Sequence, residues 1–234
     1  AKKGIYVDGD TTLHSSLHAN MFPVAFGMTP AGRRGKILDF IHSRKMACSV
    51  YGSQFLMDAL YEVADADYAL HLLTKDDDRS WYNMLRVGST ISLEAWDNKY
   101  KPNQDWNHIW GAAPANIIPR KLMGVEPLEP GFDRVRIRPQ IASLAWAKAV
   151  IPTVKGAISL DIKNGAGEYR MKLTIPANME SEVYLPLPPH SAKKYTVTID
   201  GKTIKTTALK DAQFISLGTI PAGNHEILLL LQAL

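Results

Sequence analysis

The segment from Gly88 to Trp110 combines acidic, imidazole and aromatic side chains in an irregular stretch of chain. It contains the carboxylates Glu94, Asp97 and Asp105, the imidazole of His108, and the rings of Trp96, Tyr100, Trp106 and Trp110. Aromatic rings stack on the apolar C–H faces of pyranose sugars, whereas carboxylates and imidazoles bind hydroxyl groups and transfer protons. The segment therefore favours a carbohydrate site. The alternative interpretation places the tryptophans in the core and the acids in a solvated loop.

Glu94 differs from the other acids of this segment in its neighbours. It lies between Leu93 and Ala95, so burial among apolar side chains would raise the pKa of its carboxyl group. Asp97 and Asp105 lie beside polar residues, which is typical of turns and surfaces. Glu94 is therefore the acid for which we expect a raised pKa.

Two histidines near the N-terminus, His14 and His18, are four residues apart. On a helix this spacing places both side chains on one face, where they could line the same cleft. The spacing also occurs in zinc sites, but the glutamate of a metalloprotease helix is missing and no third ligand is suggested nearby. We expect no metal here, and instead hydrogen bonds to the protein or to a sugar.

The elements that must position these residues change in character near residue 120. Before it, apolar residues recur at helical spacing, as in Phe55–Ala64, for which Ser53 is a plausible N-cap. We expect helices over residues 13–123. After it, segments that alternate apolar and polar residues are separated by turn signals such as Asp200-Gly201, which predicts antiparallel strands over residues 132–232.

These patterns predict an α+β chain in two parts. The first part, residues 1–124, is helical, and the second part, residues 125–234, is an antiparallel β-sandwich. The sandwich has only one tryptophan, Trp146, and no cluster of exposed aromatic residues is expected on it, so we interpret it as structural support.

The composition of the 234 residues excludes several classes of protein. The net charge of +4 comes from scattered charges with no basic run, so nucleic acid is not an expected partner. The longest apolar run, Ile227 to Leu231, is far shorter than the about 20 residues that span a bilayer, so no membrane is expected either. No signal peptide is visible. Cys48, the only cysteine, excludes an internal disulfide, and its apolar-rich surroundings favour a buried thiol.

The glycine-rich and nucleophile motifs of other enzymes are missing. The chain has no G-x-S-x-G elbow, no Walker loop and no dinucleotide fingerprint, and we expect no cofactor.

Four motifs occur in order along the chain: Ser16–Pro23, Gly88–Asp97, Trp106–Gly111 and Gly124–Phe132. They are followed by Arg136–Pro139 and Pro152–Gly156. Together these segments resemble the bacterial α-L-rhamnosidases of glycoside hydrolase family 78, and the resemblance covers nearly the whole chain.

The resemblance implies part of a catalytic (α/α)6 six-hairpin barrel followed by a C-terminal β-sandwich. It also implies inverting hydrolysis of terminal α-L-rhamnosides, in which one carboxylic acid protonates the leaving oxygen and a second carboxylate activates water. By motif position Glu94 resembles the general base, and His108 resembles a histidine that contacts rhamnose. The other candidate substrate-binding residues are Trp96, Trp110 and His18.

Two departures from the family pattern bear on these expectations. The family more often has Thr-Thr-x-Trp-Glu ahead of the base, where this chain has Ile91-Ser92-Leu93-Glu94. The general acid of the family lies upstream, in a segment absent here, and residues 1–119 supply too few helices for a twelve-helix barrel.

We therefore expect the C-terminal portion of a longer enzyme that is inactive by itself. Its expected partners are the missing N-terminal part and a rhamnose-containing oligosaccharide or glycoside. The alternative is a carbohydrate-binding or structural module that carries out no catalysis on its own.

Overall fold

The structure is a computed structural model that describes residues 4–187, 194–208 and 213–231. The chain divides into two compact units, which meet in sequence between Ile117 and Ile118. The first unit is helical and the second contains β-sheets, which confirms the predicted fold class. Among the described residues, no helix combines the length and the apolar character needed to cross a membrane.

The first five helices of the first unit are joined by short loops, and residues 87–108 then form a longer irregular stretch. The helices are α1 (Leu17–Ala25), α2 (Ala31–Arg44), α3 (Val50–Glu62), α4 (Ala66–Thr74), α5 (Trp81–Arg86) and α6 (Ala113–Ile117). A 3-10 turn, Ile109–Ala112, leads into α6. Helix α3 contributes much of the core, because Leu56, Met57 and Leu60 are fully buried and α3 packs against α1, α4 and α6.

Three serines fix where helices of this unit begin. The hydroxyl oxygens of Ser16, Ser49 and Ser80 each accept a hydrogen bond, at 3.0 Å, from the backbone N–H three residues later. This is the usual N-cap arrangement, and it stabilises a helix by about 1 kcal/mol. The prediction of Ser53 as the cap of α3 is wrong, because Ser53 lies in the first turns of that helix and its hydroxyl donates to the carbonyl of Val50.

The second unit begins with a π-helical turn, Ile118–Leu122, and continues as strands. The strands are β1 (Val125–Pro127), β2 (Arg134–Ile137), β3 (Trp146–Thr153), β4 (Gly156–Gly165), β5 (Glu168–Ile175), β6 (Glu180–Pro186), β7 (Tyr195–Ile199), β8 (Lys202–Thr203), β9 (Thr207–Ala208), β10 (Phe214–Ile220) and β11 (Gly223–Leu231). They form two sheets, ordered β1-β2-β6-β10-β9 and β3-β4-β5-β11-β7-β8. Of the described pairings, β2 with β6 is parallel and the others are antiparallel.

The alternating pattern of the sequence becomes one buried face in the larger sheet. Leu160 on β4 lies opposite Leu173 on β5, and Met171 on β5 lies opposite Ile227 on β11. All four side chains are at most 1% exposed. Since side chains along a strand point alternately to the two faces, the register that aligns these residues also fixes which residues face outward.

Gly124 is the first residue of the Gly124–Phe132 motif, and its backbone conformation requires a glycine. Its φ of 75° lies in the left-handed region. A Cβ atom at this position would lie 2.1 Å from the carbonyl of Arg138, whose N–H donates to the Gly124 carbonyl at 2.9 Å. Only glycine allows both the conformation and this close approach.

Glu126 links the first two strands of the second unit by ion pairs. It lies opposite Arg136 in the β1–β2 register, and its carboxylate accepts hydrogen bonds from Arg136 and, at 2.7 Å, from Lys121. Burial alone would raise the pKa of the Glu126 carboxyl, but the bonds from Lys121 and Arg136 outweigh burial and lower the pKa to about 2. Glu126 is therefore ionised and stabilises the unit over the usual range of pH.

Replacing Glu126 tests this ion-pair cluster. Because the folded-state pKa is depressed, its contribution is fully present above the ordinary value of 4.5 and is lost as pH falls towards 2. We expect Glu126→Gln to lower the free energy of unfolding at pH 7 by about 2 kcal/mol, after allowing for solvent screening. The difference between the two proteins should shrink as pH falls from about 4.5 to 2. Urea titrations followed by circular dichroism at a series of pH values measure both effects.

The matched control is Glu129→Gln, which removes an exposed carboxylate paired with Arg134. We expect this change to stay within about 0.5 kcal/mol of the parent protein. Equal losses in the two variants would contradict a special role for Glu126.

Candidate active site

Two stretches of irregular chain in the first unit are held side by side by their backbones. The N–H of Glu94 donates to the carbonyl of Asp105 at 3.1 Å, and the N–H of His108 donates to the carbonyl of Ser92 at 2.9 Å. The Ser92 hydroxyl adds a bond to the carbonyl of His108 at 2.7 Å. We call residues 92–94 and 105–108, joined in this way, the backbone clamp. It joins Glu94 to Asp105, 11 residues later, and Ser92 to His108, 16 residues later.

Gly111 allows the next turn to approach the backbone clamp. A Cβ atom at Gly111 would lie 2.5 Å from the carbonyl oxygen of Leu93 and 2.8 Å from the Cβ of Ser92. The carbonyl of Gly111 is itself fixed by the indole N–H of Trp81 at 2.9 Å. Since any larger residue would push the two stretches apart, glycine is required at this point of the motif.

The carboxylate of Glu94 is held by two donors and is ionised. Its side chain is 12% exposed. It accepts hydrogen bonds from the ammonium group of Lys101 and, at 3.0 Å, from the N–H of Asp105. The bond from Lys101 is the main cause that lowers the pKa of Glu94, and the bond from Asp105 is the next.

The expectation of a raised pKa for Glu94 is therefore wrong. Its neighbour Leu93 is fully buried, as predicted for an apolar residue, but the carboxylate itself meets Lys101 rather than apolar side chains. A carboxyl group with a lowered pKa is unprotonated at neutral pH, so it has no proton to donate.

His108 and Trp110 form an open aromatic surface at the end of the backbone clamp. Their ring centroids are 4.4 Å apart, and Trp110 is 46% exposed. The Nδ1 atom of His108 accepts a hydrogen bond from the N–H of Trp110 at 3.2 Å, so we assign the proton of a neutral ring to Nε2. The ring of Tyr51, 51% exposed, extends the surface with its centroid 5.3 Å from that of Trp110.

Trp96, the other candidate tryptophan, lies in the core. It is 2% exposed, and its indole N–H donates to the carbonyl of Cys48 at 2.7 Å. Its ring meets that of Trp81 edge-on, with centroids 5.2 Å apart. For this residue the structure supports the interpretation in which a tryptophan of the segment is part of the core.

The two N-terminal histidines occupy different surroundings. Helix α1 starts at Leu17, so His14 precedes the helix, and its exposed ring pairs with Asp8, which lowers the pKa of that carboxyl to about 2. His18 lies within α1 beside Gly52, where a Cβ atom would be 3.3 Å from its Nε2. The expectation that both histidines share one helical face is therefore wrong. Among the described residues, no three His, Cys, Asp or Glu side chains cluster as metal ligands would.

Asp97 and Asp105 lie in a turn and at the surface, as their polar neighbours in the sequence predicted. Asp97 closes a turn by accepting the N–H of Lys99 at 3.1 Å, and Asn83 donates to the same carboxylate, so the pKa of Asp97 is lowered. The side chain of Asp105 is exposed. Sequence reasoning missed Lys101 and Tyr51, because neither residue belongs to a motif that links it to Glu94 or Trp110.

Comparison with known proteins identifies the family. Residues 2–122 match the family model described as the bacterial α-L-rhamnosidase 6-hairpin glycosidase domain. The chain belongs to the bacterial α-L-rhamnosidase family. Residues 124–199 match the C-terminal domain of the same family.

Curated α-L-rhamnosidases are similar to this chain at low identity. The protein from Alteromonas sp. (strain LOR) is 26% identical over 183 residues, which are 72% of this chain and 20% of the relative. The protein from Formosa agariphila is 24% identical over 235 residues, 94% of this chain and 24% of the relative. The chain thus spans about a quarter or less of these α-L-rhamnosidases.

Solved α-L-rhamnosidase structures share the fold. The enzyme from Dictyoglumus thermophilum matches with a TM-score of 0.81 at 18% identity, over 98% of this chain and 27% of that one. The Streptomyces avermitilis enzyme, solved in complex with L-rhamnose, matches with a TM-score of 0.74 at 20% identity, over 95% of this chain and 22% of that one. At these identities the likeness concerns the fold.

Removing the ammonium group of Lys101 tests what holds Glu94 ionised. Since Lys101 is the main cause of the lowered pKa, we expect Lys101→Met to raise the pKa of the Glu94 carboxyl towards its ordinary value. Carbon-13 NMR of the Glu94 side-chain carboxyl, followed over pH, measures the shift directly.

The control for this measurement is Lys99→Met, two residues away, because Lys99 pairs with Asp78 instead of Glu94. The pKa of Glu94 should change little in that variant. An unchanged pKa in Lys101→Met would mean that the backbone N–H of Asp105 is sufficient by itself.

Proposed function

We propose that this chain carries the general-base side of an inverting α-L-rhamnosidase site, with Glu94 as the base. The observation that carries the proposal is the Glu94 carboxylate, which is largely shielded from solvent yet kept ionised by Lys101 and the N–H of Asp105. A general base must be unprotonated before it can remove a proton from the attacking water molecule. The family to which the chain belongs supports α-L-rhamnosides as the substrate class, and we propose that the hydrolysed residue is terminal.

Glu94 can hold a water molecule in addition to its two donors. A carboxylate has about four acceptor positions on its two oxygens, and the described contacts occupy two of them, one on each oxygen. In the proposed reaction Glu94 takes a proton from that water as the water attacks the anomeric carbon. A carboxylic acid on the opposite face, about 6.5–9.5 Å away, gives its proton to the leaving oxygen.

His108 and Trp110 are the proposed sugar-binding groups beside the base. The Nε2–H of a neutral His108 would donate to a sugar hydroxyl, since Nδ1 is already engaged by the backbone of Trp110. The open face of Trp110 would stack on the apolar face of a pyranose. His18 is a weaker candidate, because its ring lies on α1 beside Gly52 and Phe22. We do not assign Trp96 to the sugar, since its ring is buried.

The general acid is proposed to lie outside this chain. Asp97, close in sequence to Glu94, has a lowered pKa and closes a turn, so it is a poor proton donor. The chain spans 20% of the Alteromonas relative and 24% of the Formosa relative, which leaves most of an α-L-rhamnosidase elsewhere. An N-terminal part of the same enzyme would then supply the acid and the remaining hairpins.

The direct test is Glu94→Gln in the complete enzyme that contains this chain. Glutamine keeps the shape of the side chain but cannot accept the proton, so we expect kcat to fall by about 10²–10⁴-fold with little change in rhamnose binding. Steady-state kinetics on an aryl α-L-rhamnoside and a binding isotherm for L-rhamnose measure the two effects.

The matched control is Asp105→Asn, which neutralises an exposed carboxylate on the same backbone clamp and leaves its N–H bond to Glu94 in place. Its kcat should remain within a few-fold of the parent enzyme. Full activity of Glu94→Gln would support the alternative of a non-catalytic carbohydrate-binding or structural module.

A second prediction concerns the chain by itself. Without an acid to protonate the leaving oxygen, and without the groups that position the substrate, we expect no turnover of an aryl α-L-rhamnoside above background. Activity should return when the separately prepared N-terminal part of the enzyme is added. Turnover by the chain alone that Glu94→Gln abolishes would place the acid within these 234 residues.

A further inference from the structure

A cavity of about 420 Å³ opens in the first unit, and none of the proposed sugar-binding residues lines it. Its lining includes five cationic side chains: Arg44, Lys45, Lys75, Arg79 and Arg86. Tyr100 supplies an aromatic wall, and two carboxylates, Asp77 and Asp78, complete the charged groups. Cations therefore outnumber carboxylates around this space, which we call the basic cavity.

The two carboxylates of the basic cavity are already engaged. Asp77 pairs with Lys75 at 2.7 Å, and Asp78 pairs with both Arg86, at 3.4 Å, and Lys99. Within the part of the chain that the structure describes, three lining cations have no carboxylate partner: Arg44, Lys45 and Arg79. No carboxylate of the described residues is thus paired with these three cations.

Helix ends explain some of these cations but not Arg79. Arg44 is the last residue of α2, Lys45 follows it, and Lys75 follows α4, so all three lie at helix C-termini, where cations are stabilised. Arg79 instead precedes Ser80, the N-cap of α5, which is the end that disfavours a positive charge. Its position therefore calls for a different explanation.

The guanidinium group of Arg79 is pre-positioned at the wall of the basic cavity. Its Nη1 donates to the carbonyl of Met46 at 3.4 Å, and its central carbon lies 4.6 Å from the centroid of the Tyr100 ring. These contacts restrain the group and leave most of its five N–H donors unused. The charges of Arg79 and Lys75 also act to lower the pKa of the buried Cys48 thiol, although burial is larger and raises that pKa to about 12.

We propose that the basic cavity binds the anionic group of an acidic saccharide, a carboxylate or a sulfate ester, with Arg79 as its main ligand. The planar guanidinium fork matches two oxygens of either group, and Lys45 adds a second cation at the same cavity. The volume of about 420 Å³ is within the range of sites that hold small molecules. That the ligand is a saccharide rests on the proposed function, whereas none of the residues proposed to act on the rhamnoside lines this cavity.

An NMR titration of the nitrogen-15-labelled chain tests the proposal without any enzymatic assay. The probes are sodium D-glucuronate, sodium sulfate, neutral D-glucose, and sodium chloride at matched ionic strength. We expect saturable shifts of the Lys45, Ala47, Arg79 and Tyr100 amides with glucuronate or sulfate, and none with glucose or chloride. Tighter binding of glucuronate than of sulfate indicates an acidic sugar, whereas the reverse indicates a sulfate group or the free ion.

Two variants and one control complete the test. Arg79→Gln and, separately, Lys45→Gln should each weaken binding, Arg79→Gln by about ten-fold or more because it loses a charged, two-oxygen contact. Arg33→Gln, which removes an exposed arginine on α2 outside the cavity, should leave binding unchanged. Shifts that do not saturate, or equal binding in the parent chain and both cavity variants, would overturn the proposal.

Discussion

The candidate active site depends on the backbone clamp between residues 92–94 and 105–108. Its hydrogen bonds join two irregular stretches that have no helix or sheet to hold them, so these bonds decide where Glu94 and His108 lie. Gly111 is the condition for this arrangement, because a Cβ atom there would collide with the Leu93 carbonyl. Gly111 has no side chain, yet its small size allows the arrangement that positions Glu94 and His108.

The lowered pKa of Glu94 is caused mainly by one side chain, Lys101, which no sequence motif indicates. Lys101 lies seven residues after Glu94 and reaches its carboxylate because the turn closed by Asp97 brings the chain back. With that ammonium group present, the Glu94 carboxyl is ionised, which is the state that its proposed role as base requires. With apolar neighbours instead, the same residue would be suited to donating a proton. The loop that carries Lys101 therefore sets the ionisation state of Glu94.

The periodic patterns of the sequence predicted the helices and strands. They did not predict the contacts between residues that are distant in the sequence. Helical spacing in α3 and alternation in β4 report burial locally, so both elements could be predicted. The N-cap at Ser49 rather than Ser53, and the core position of Trp96 against Cys48, depend on partners elsewhere in the chain. The predicted rise in the pKa of Glu94 was wrong for the same reason, since the nearest neighbours of Glu94 in the sequence are not its partners in space.

The family motifs contain two kinds of residue, and the structure separates them. Some have structural roles. Gly124 allows a close backbone approach, Glu126 forms an ion pair with Lys121, and Trp96 packs in the helical core. Trp110 instead exposes an aromatic face, and Glu94 holds an ionised carboxylate against Lys101 and the N–H of Asp105. Membership of a motif is therefore no measure of a chemical role.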